Sequence, residues 1–436
     1  MSRILLHPLP VPSATVCMPG SKSYTNRALI IASLAPGASR LLGASLSDDS
    51  NALVRALRLL GILIDIDDGA NISVQGGQSY LQPFCGTIDV GPAGTAMRFL
   101  TALCASIPKA DVILTGSERM HQRPIGDLVS TLQRAGASIT YLGRTGCPPL
   151  RIHSPCPLHA ETLSINGSTS SQFISAIALI APLFKAGLQL SITGDLTSTS
   201  YIDMTLQSIR DFGVAVECKE YRHLAWPPSQ TYGARTYRIE GDASGASYFW
   251  GTAAISARCI TVSNIRPDSA QGDVQFPCLL EMMGCRVTRS EESITVEGPR
   301  ELQPIDASLE LMPDTAQTLA VVAACARGTS VLRGLKTLRV KETDRIQALQ
   351  TELAKLGVRS DAGVDYLVVH GSSPTCSESI ATYDDHRMAM SFAMLGARLP
   401  RIEIQHPEVV NKSFPSFWKA LEQVGIKGTV LDVSQT

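Results

Sequence analysis

The sequence predicts an α/β protein of two domains, each built from three repeated βαβαββ units, because two independent markers recur six times along its 436 residues. The first marker is a small or polar cluster leading into an alanine-rich apolar helix pattern. It opens GSKSYTNRALIIASLA at Gly20, GPAGTAMRFLTALCA at Gly91, GSTSSQFISAIALIA at Gly167, GDASGASYFWGTAAIS at Gly241, PDTAQTLAVVAACA at Pro313 and DDHRMAMSFAMLGA at Asp384, at intervals of 71, 76, 74, 72 and 71 residues. The second marker is a helical pattern that closes on glycine before an alternating strand. Those glycines, Gly61, Gly136, Gly213, Gly284, Gly357 and Gly425, lie 75, 77, 71, 73 and 68 residues apart, so both markers keep one register. The length agrees, being about three times the ~150-residue prior for one domain.

Each element of the unit has its own signal. Between the two helices lies a short strand pattern, as in ADVILTG, LQLSITG, CITVSN and SVLRG. After the closing glycine comes a hairpin pattern, as in GCRVTRSEESITVEG. A period near 72 is too long for tetratricopeptide or ankyrin arrays and carries enough structure for a layered α/β piece. The sixth unit is short of strands, since 11 residues follow Gly425, while SRILLHPL and SATVCMP precede any unit. The first 20 residues are therefore expected to complete the final unit. One domain is then continuous, residues 21–240, and the other is residues 1–20 plus 241–436. Two chain crossings, near Gly20 and Gly241, are expected to form a hinge beside a cleft.

Composition narrows the function. With 44% hydrophobic and 5% aromatic residues, the cores are expected to be aliphatic. Lys plus Arg (38) nearly balances Asp plus Glu (39), so no global field recruits nucleic acid or a membrane, and any anion site is local. The longest apolar stretch, Ile174 to Phe184, has 11 residues against the ~20 that span a bilayer. The N-terminus lacks a signal-peptide pattern, which points to a cytoplasmic protein. Eleven Cys without a CxxC pair, and no HExxH, predict neither a metal site nor structural disulfides but ordinary buried thiols.

The helix starts carry the chemistry. A helix N-terminus is positive, so a cation there is unfavourable unless an anion shares the site. Lys22 violates that preference in the first repeat, and Arg387 opens the sixth. Arg27 and Arg98 each lie seven residues after their repeat's opening glycine. Singly these read as surface cations; their recurrence favours a shared oxyanion site. GSKS is no P-loop, because GxxxxGK(S/T) fails at Ser21, and no GxGxxG sits in a dinucleotide-binding context. Ser170, Ser171 and Gln172 offer hydroxyls and an amide for phosphate or sugar, or simply cap a helix. Asp314 is either an N-cap or a proton carrier. Lys341, Glu342, Asp344 and Arg345 form either an exposed charged turn or a site where cations stabilise a carboxylate that gives up its proton.

GSKSYTNR, GTAMR, RPIG, SSQF, RVKETDR and DHRMAM, in this order, resemble the 5-enolpyruvylshikimate-3-phosphate (EPSP) synthases of the enolpyruvyl transferase family, from about Lys22 to Lys412. The resemblance implies an inside-out α/β barrel in each of two domains that close on the substrates. It implies transfer of the enolpyruvyl group of phosphoenolpyruvate to the 5-hydroxyl of shikimate 3-phosphate, with release of phosphate, in chorismate and aromatic amino acid biosynthesis. The chemistry is addition and elimination through a tetrahedral intermediate, without a cofactor or metal, in a cytoplasmic monomer. Two multiply charged anions held side by side would explain local Lys and Arg density in a nearly neutral chain.

Residue by residue, the resemblance implies that Lys22 contacts both substrates and that Ser23, Arg27, Ser170, Ser171, Gln172, Ser198, Tyr201, Asp314, Thr337 and Lys341 line the shikimate 3-phosphate site. Lys22, Gly94, Arg123, Gln172, Arg345, Arg387 and Lys412 line the phosphoenolpyruvate site. Lys22, Asp314 and Glu342 are the implied catalytic residues, with Asp314 handling the 5-hydroxyl proton and Glu342 exchanging one with the methylene carbon. Three positions depart from the family pattern: Pro92 replaces an Asn, Phe99 stands for Pro or Leu, and Thr337 for Asn. Pro92 offers neither an amide side chain nor an N–H. It bears on affinity for phosphoenolpyruvate and for glyphosate, which competes for that pocket in the family. Two alternatives remain, a UDP-N-acetylglucosamine enolpyruvyl transferase and a non-catalytic anion-binding relative. Against the first, LTGSERMHQRPIG lacks a mobile-loop Cys; against the second, Lys22, Asp314 and Glu342 are all retained.

Overall fold

Among the described residues, twelve α-helices alternate in character along the chain. The computed structural model describes residues 2–77, 79–154, 156–375 and 378–431. In order the helices are α1 (Lys22–Leu34), α2 (Asp48–Leu59), α3 (Gly94–Ser106), α4 (Gly126–Arg134), α5 (Ser171–Ile180), α6 (Ser200–Asp211), α7 (Ala243–Ser256), α8 (Phe276–Met282), α9 (Ala316–Ala324), α10 (Arg345–Lys355), α11 (His386–Ala393) and α12 (Phe417–Gln423). Odd-numbered helices are the alanine-rich segments, and a helix apolar on every side must be buried on every side. All nine residues of α9 and all eight of α11 are buried, against four of nine in α4 and three of seven in α12. Several hydroxyls within the buried helices donate to carbonyls four residues back, as Ser33 does to Leu29 and Thr101 to Met97, which satisfies them without solvent.

The chain divides into two compact units, Gly20–Ile239 (the continuous unit) and Met1–Pro19 with Glu240–Thr436 (the split unit). In the continuous unit α1, α3 and α5 pack on one another; in the split unit α9 packs on α7 and α11. Small sheets cover these helices, with helices inside and strands outside. In the second repeat Cys85–Asp89 runs parallel to Asp111–Thr115, which pairs antiparallel with Leu150–His153, which in turn pairs with Ser138–Tyr141. Helix α3 makes the crossover that a parallel pair requires. The same strand order recurs in the other four-stranded sheets. All six closing glycines have positive φ, between 73° and 98°, where a side chain would be strained. Gly20 and Gly241 are needed for closeness instead: an added Cβ would lie 2.0 Å from the Gly43 carbonyl oxygen and 2.2 Å from that of Asn264.

The N-terminus corrects one expectation. Arg3–Pro8 does complete the sixth sheet, between Ile402–Gln405 and Ile426–Leu431. Ser13–Cys17, however, runs parallel to Cys259–Ser263 and completes the fourth repeat, not the last. Prolines at 8, 10 and 12 interrupt the ladder between the two strands, so each serves a different sheet. At the other end of the continuous unit, Thr236–Arg238 runs parallel to Gly37–Leu42 and completes the first repeat.

The thiols are a second correction. Of the ten described cysteines, Cys104, Cys147, Cys285 and Cys325 are buried; Cys17, Cys85 and Cys156 are exposed and three more are half-buried. Cys17 and Cys85 end or begin strands with alternating burial and fall on the outer face. Cys376 lies outside the described residues. No described helix is long and apolar enough to cross a membrane.

Candidate active site

In the continuous unit the polar groups gather at the N-terminal ends of the buried helices and on α6. Lys22 is the first residue of α1, and Asp49 in the first turn of α2 offsets its cost there, with Nζ 2.9 Å from Oδ2. Ser23 follows, and its carbonyl accepts from Arg27 at 3.0 Å. Arg27 is buried; its other donors reach Thr205 Oγ1 (2.8 Å), the Tyr201 carbonyl (2.9 Å) and Ser175 Oγ (3.4 Å), and its guanidinium lies against the Phe99 and Tyr201 rings. Burial without a bonded carboxylate pulls its pKa down to about 10, so it stays charged at neutral pH. Ser170 caps α5, accepting from the Gln172 N–H at 3.2 Å, and the Gln172 side chain donates to Thr95. Ser198 is held at φ 56° just ahead of α6, which carries Tyr201.

Gly94 opens α3 beneath Arg123. A Cβ at Gly94 would fall 2.6 Å from one guanidinium nitrogen of Arg123. Arg98, equivalent to Arg27 by position, is also buried, but it donates to the Gly94 and Pro124 carbonyls and to the Met120 sulfur. It fastens the start of α3 to the RPIG loop. The exposed Pro92 precedes that helix, and Phe99 is buried among its residues.

The split unit arranges charge differently. Arg345 opens α10 and is 1% exposed, yet it binds three carboxylates: Asp385 (2.7 Å), Glu342 (2.9 Å) and Asp314 (3.1 Å). Burial opposes its charge, and Asp385, Glu342 and Asp314 more than reverse that, holding its pKa above the ordinary value. Asp314 also meets Arg387 at 2.8 Å, with Lys341 at 3.7 Å. Glu342 also meets Lys412 at 2.8 Å. Asp385 caps α11 by accepting from the Arg387 N–H, and Arg387 donates to the Tyr248 hydroxyl. Thr337 lies half-buried in the 3-10 turn Lys336–Val340 that leads to Lys341. Beside the network, buried Asp273 accepts from Ser244; desolvation first and the nearby Asp314 second push its pKa up to about 7.

Two open alternatives resolve here. Asp314 is not an N-cap: it sits in a 3-10 turn before α9 and spends its carboxylate on cations. RVKETDR is not an exposed charged turn, because Glu342 and Arg345 are nearly buried, although Asp344 does cap α10. Ser170 does cap its helix. Sequence reasoning missed Asp49, Thr205, Ser175, Asp273 and Asp385. For Asp49 the available signal was the DD pair at a helix start, and for Asp385 the acidic residue of DHRMAM.

Residues 11–421 match the sequence model of the EPSP synthase (3-phosphoshikimate 1-carboxyvinyltransferase) family. The chain belongs to the EPSP synthase family. It is therefore an enzyme of the transferase class. It is 40% identical over 429 residues to the 3-phosphoshikimate 1-carboxyvinyltransferase of Sulfurovum sp. (strain NBC37-1), covering 97% of this chain and 99% of that one. It is 41% identical over 430 residues to the 3-phosphoshikimate 1-carboxyvinyltransferase of Photobacterium damsela subsp. piscicida, with 97% of this chain and 100% of that one covered. An EPSP synthase structure from Acinetobacter baumannii superposes with a TM-score of 0.82 at 25% identity, covering 99% of this chain and all of that one. The repeated α/β architecture is thus that of EPSP synthases, and the family match selects this reading over the nucleotide-sugar transferase.

Proposed function

We propose that this EPSP synthase family member joins phosphoenolpyruvate to the 5-hydroxyl of shikimate 3-phosphate, releasing inorganic phosphate. The observation that carries the residue assignment is Arg345 bound at once to Asp314 and Glu342, at 3.1 and 2.9 Å. Two carboxylates fixed by one shared cation, each with further cations of its own, are suited to two separate proton transfers, and anionic substrate groups compete for the same donors.

In the proposed reaction Asp314 accepts the 5-hydroxyl proton as the sugar oxygen attacks C2 of phosphoenolpyruvate. Glu342 gives a proton to C3. The tetrahedral intermediate then returns a C3 proton to Glu342 as the C2–O bond to phosphate breaks, and the departing phosphate takes up the proton that Asp314 received from the 5-hydroxyl. Lys22, Arg123, Arg345, Arg387 and Lys412 hold phosphoenolpyruvate, with Gly94 leaving room and Gln172 adding an amide. Ser23, Arg27, Ser170, Ser171, Gln172, Ser198, Tyr201, Thr337 and Lys341 hold shikimate 3-phosphate, whose hydroxyls suit the hydroxyl-rich surroundings of α5 and α6. Fixed cations aimed at developing negative charge lower the barrier without reorganising during the reaction. We further propose a cytoplasmic monomer acting on these two small anions, with no nucleic acid or membrane partner. Phosphate release is expected with phosphoenolpyruvate plus shikimate 3-phosphate and not with UDP-N-acetylglucosamine in its place; the reverse result, or none with either, overturns the reading.

A further inference from the structure

Seven residues after Arg345, on the same face of α10, stands Glu352, a carboxylate with no solvent exposure and no part in the reaction above. It accepts from the Tyr383 hydroxyl at 2.6 Å and from the Ala381 N–H at 3.1 Å, and pairs with Lys355 at 2.8 Å. Lys355 donates in turn to the Ser379 carbonyl at 3.2 Å. These bonds, followed by Arg345 to Asp385, fasten residues 379–385 to α10 along two of its turns.

The fastened segment is strained. Tyr383 and Asp384 have φ of 55° and 53°, two successive non-glycine residues in the left-handed region. Such conformations persist only where surrounding contacts over-determine them, and they concentrate at functional sites. The strained pair immediately precedes Asp385, His386 and Arg387. Its direction therefore sets where Asp385 meets Arg345 and where the Arg387 guanidinium points. Burial first and Glu352 second push the Tyr383 phenol up to about 12, so its hydroxyl remains a donor to the carboxylate across the working pH range.

We propose that Glu352 and Tyr383 are positioning residues that lock the left-handed turn ahead of Asp385 and thereby hold Arg345 and Arg387 in register for the anionic groups of phosphoenolpyruvate. This rests on the assignment of both arginines to that substrate. The pair acts through the arginines and touches no reacting atom.

The test is steady-state kinetics on Tyr383→Phe and Glu352→Gln, with both substrates varied and thermal unfolding followed in parallel. The KM for phosphoenolpyruvate is expected to rise about tenfold in each, while that for shikimate 3-phosphate stays within about twofold. Adding Asp384→Gly to Tyr383→Phe should recover much of the loss, since glycine adopts positive φ without strain. Tyr383→Phe removes a single oxygen, so it tests the idea even if Glu352→Gln fails to fold. A lowered melting temperature with unchanged KM values, or equal changes in both KM values, overturns the proposal. Absence of turnover in the unaltered enzyme would instead overturn the proposed reaction.

Discussion

The continuous and split units share one repeat but handle charge in opposite ways. In the continuous unit Arg27 is satisfied by hydroxyls and carbonyls, and Lys22 by one aspartate. In the split unit Arg345, Arg387, Lys341 and Lys412 interlock with Asp314, Glu342 and Asp385. Neutral oxygens around a cation suit recognition of a polyhydroxy phosphate, whereas carboxylates bracketed by cations suit proton transfer in a site that must also take in anions. On the proposed assignments both proton carriers lie in the split unit among its anion-binding cations, whereas the continuous unit contributes binding groups alone, apart from Lys22.

The sharpest way to break that contrast is to neutralise the carboxylates. Asp314→Asn and Glu342→Gln should each lower kcat by roughly 10²–10⁴-fold, as loss of a general acid or base does. Near-normal turnover would end the assignment. Gly94→Ala should come next, raising the KM for phosphoenolpyruvate about tenfold or more by pushing the Arg123 guanidinium aside, with thermal stability unchanged because only the end of a flexible arm must move. On the binding side, Gln172→Ala should weaken shikimate 3-phosphate about tenfold with little change in kcat; a comparable fall in kcat would erase the distinction between the units.

A pH experiment sharpens the comparison from the split unit. Asp273 has its folded pKa raised to about 7 from 3.8, so the folded state binds the proton more tightly. Its contribution to stability is complete below about pH 4 and is lost as pH rises from there through about 7, at up to ~1.4 kcal/mol per pH unit. Asp273→Asn should flatten that slope in urea unfolding measured from pH 4 to 8; an unchanged slope would reject the assignment. The smallest effect is expected at the exposed Arg333–Asp306 pair, where alanine at both positions should leave the melting temperature unchanged.

The periodic features were legible because each is local. An alanine-rich helix, a closing glycine and a two-strand hairpin are written within about a dozen consecutive residues, so their repetition exposes the architecture. Lys22, Asp314, Glu342 and Arg387 were legible through helix-start positions and motif resemblance. Asp49, Asp385 and Glu352 were not, since each acts through a partner 27 to 40 residues away. A carboxylate near a helix start reads as a cap until the fold shows what it faces.

Amino-acid order alone determined the repeat, the burial of the alanine-rich helices and the family, because periodicity and motif order survive without coordinates. Only the tertiary structure decided that Ser13–Cys17 joins the fourth sheet, that Arg27 is satisfied by neutral oxygens and that Arg345 gathers three carboxylates. Those outcomes depend on which distant groups meet in a low-dielectric interior, where the worth of a charge is set by its neighbours.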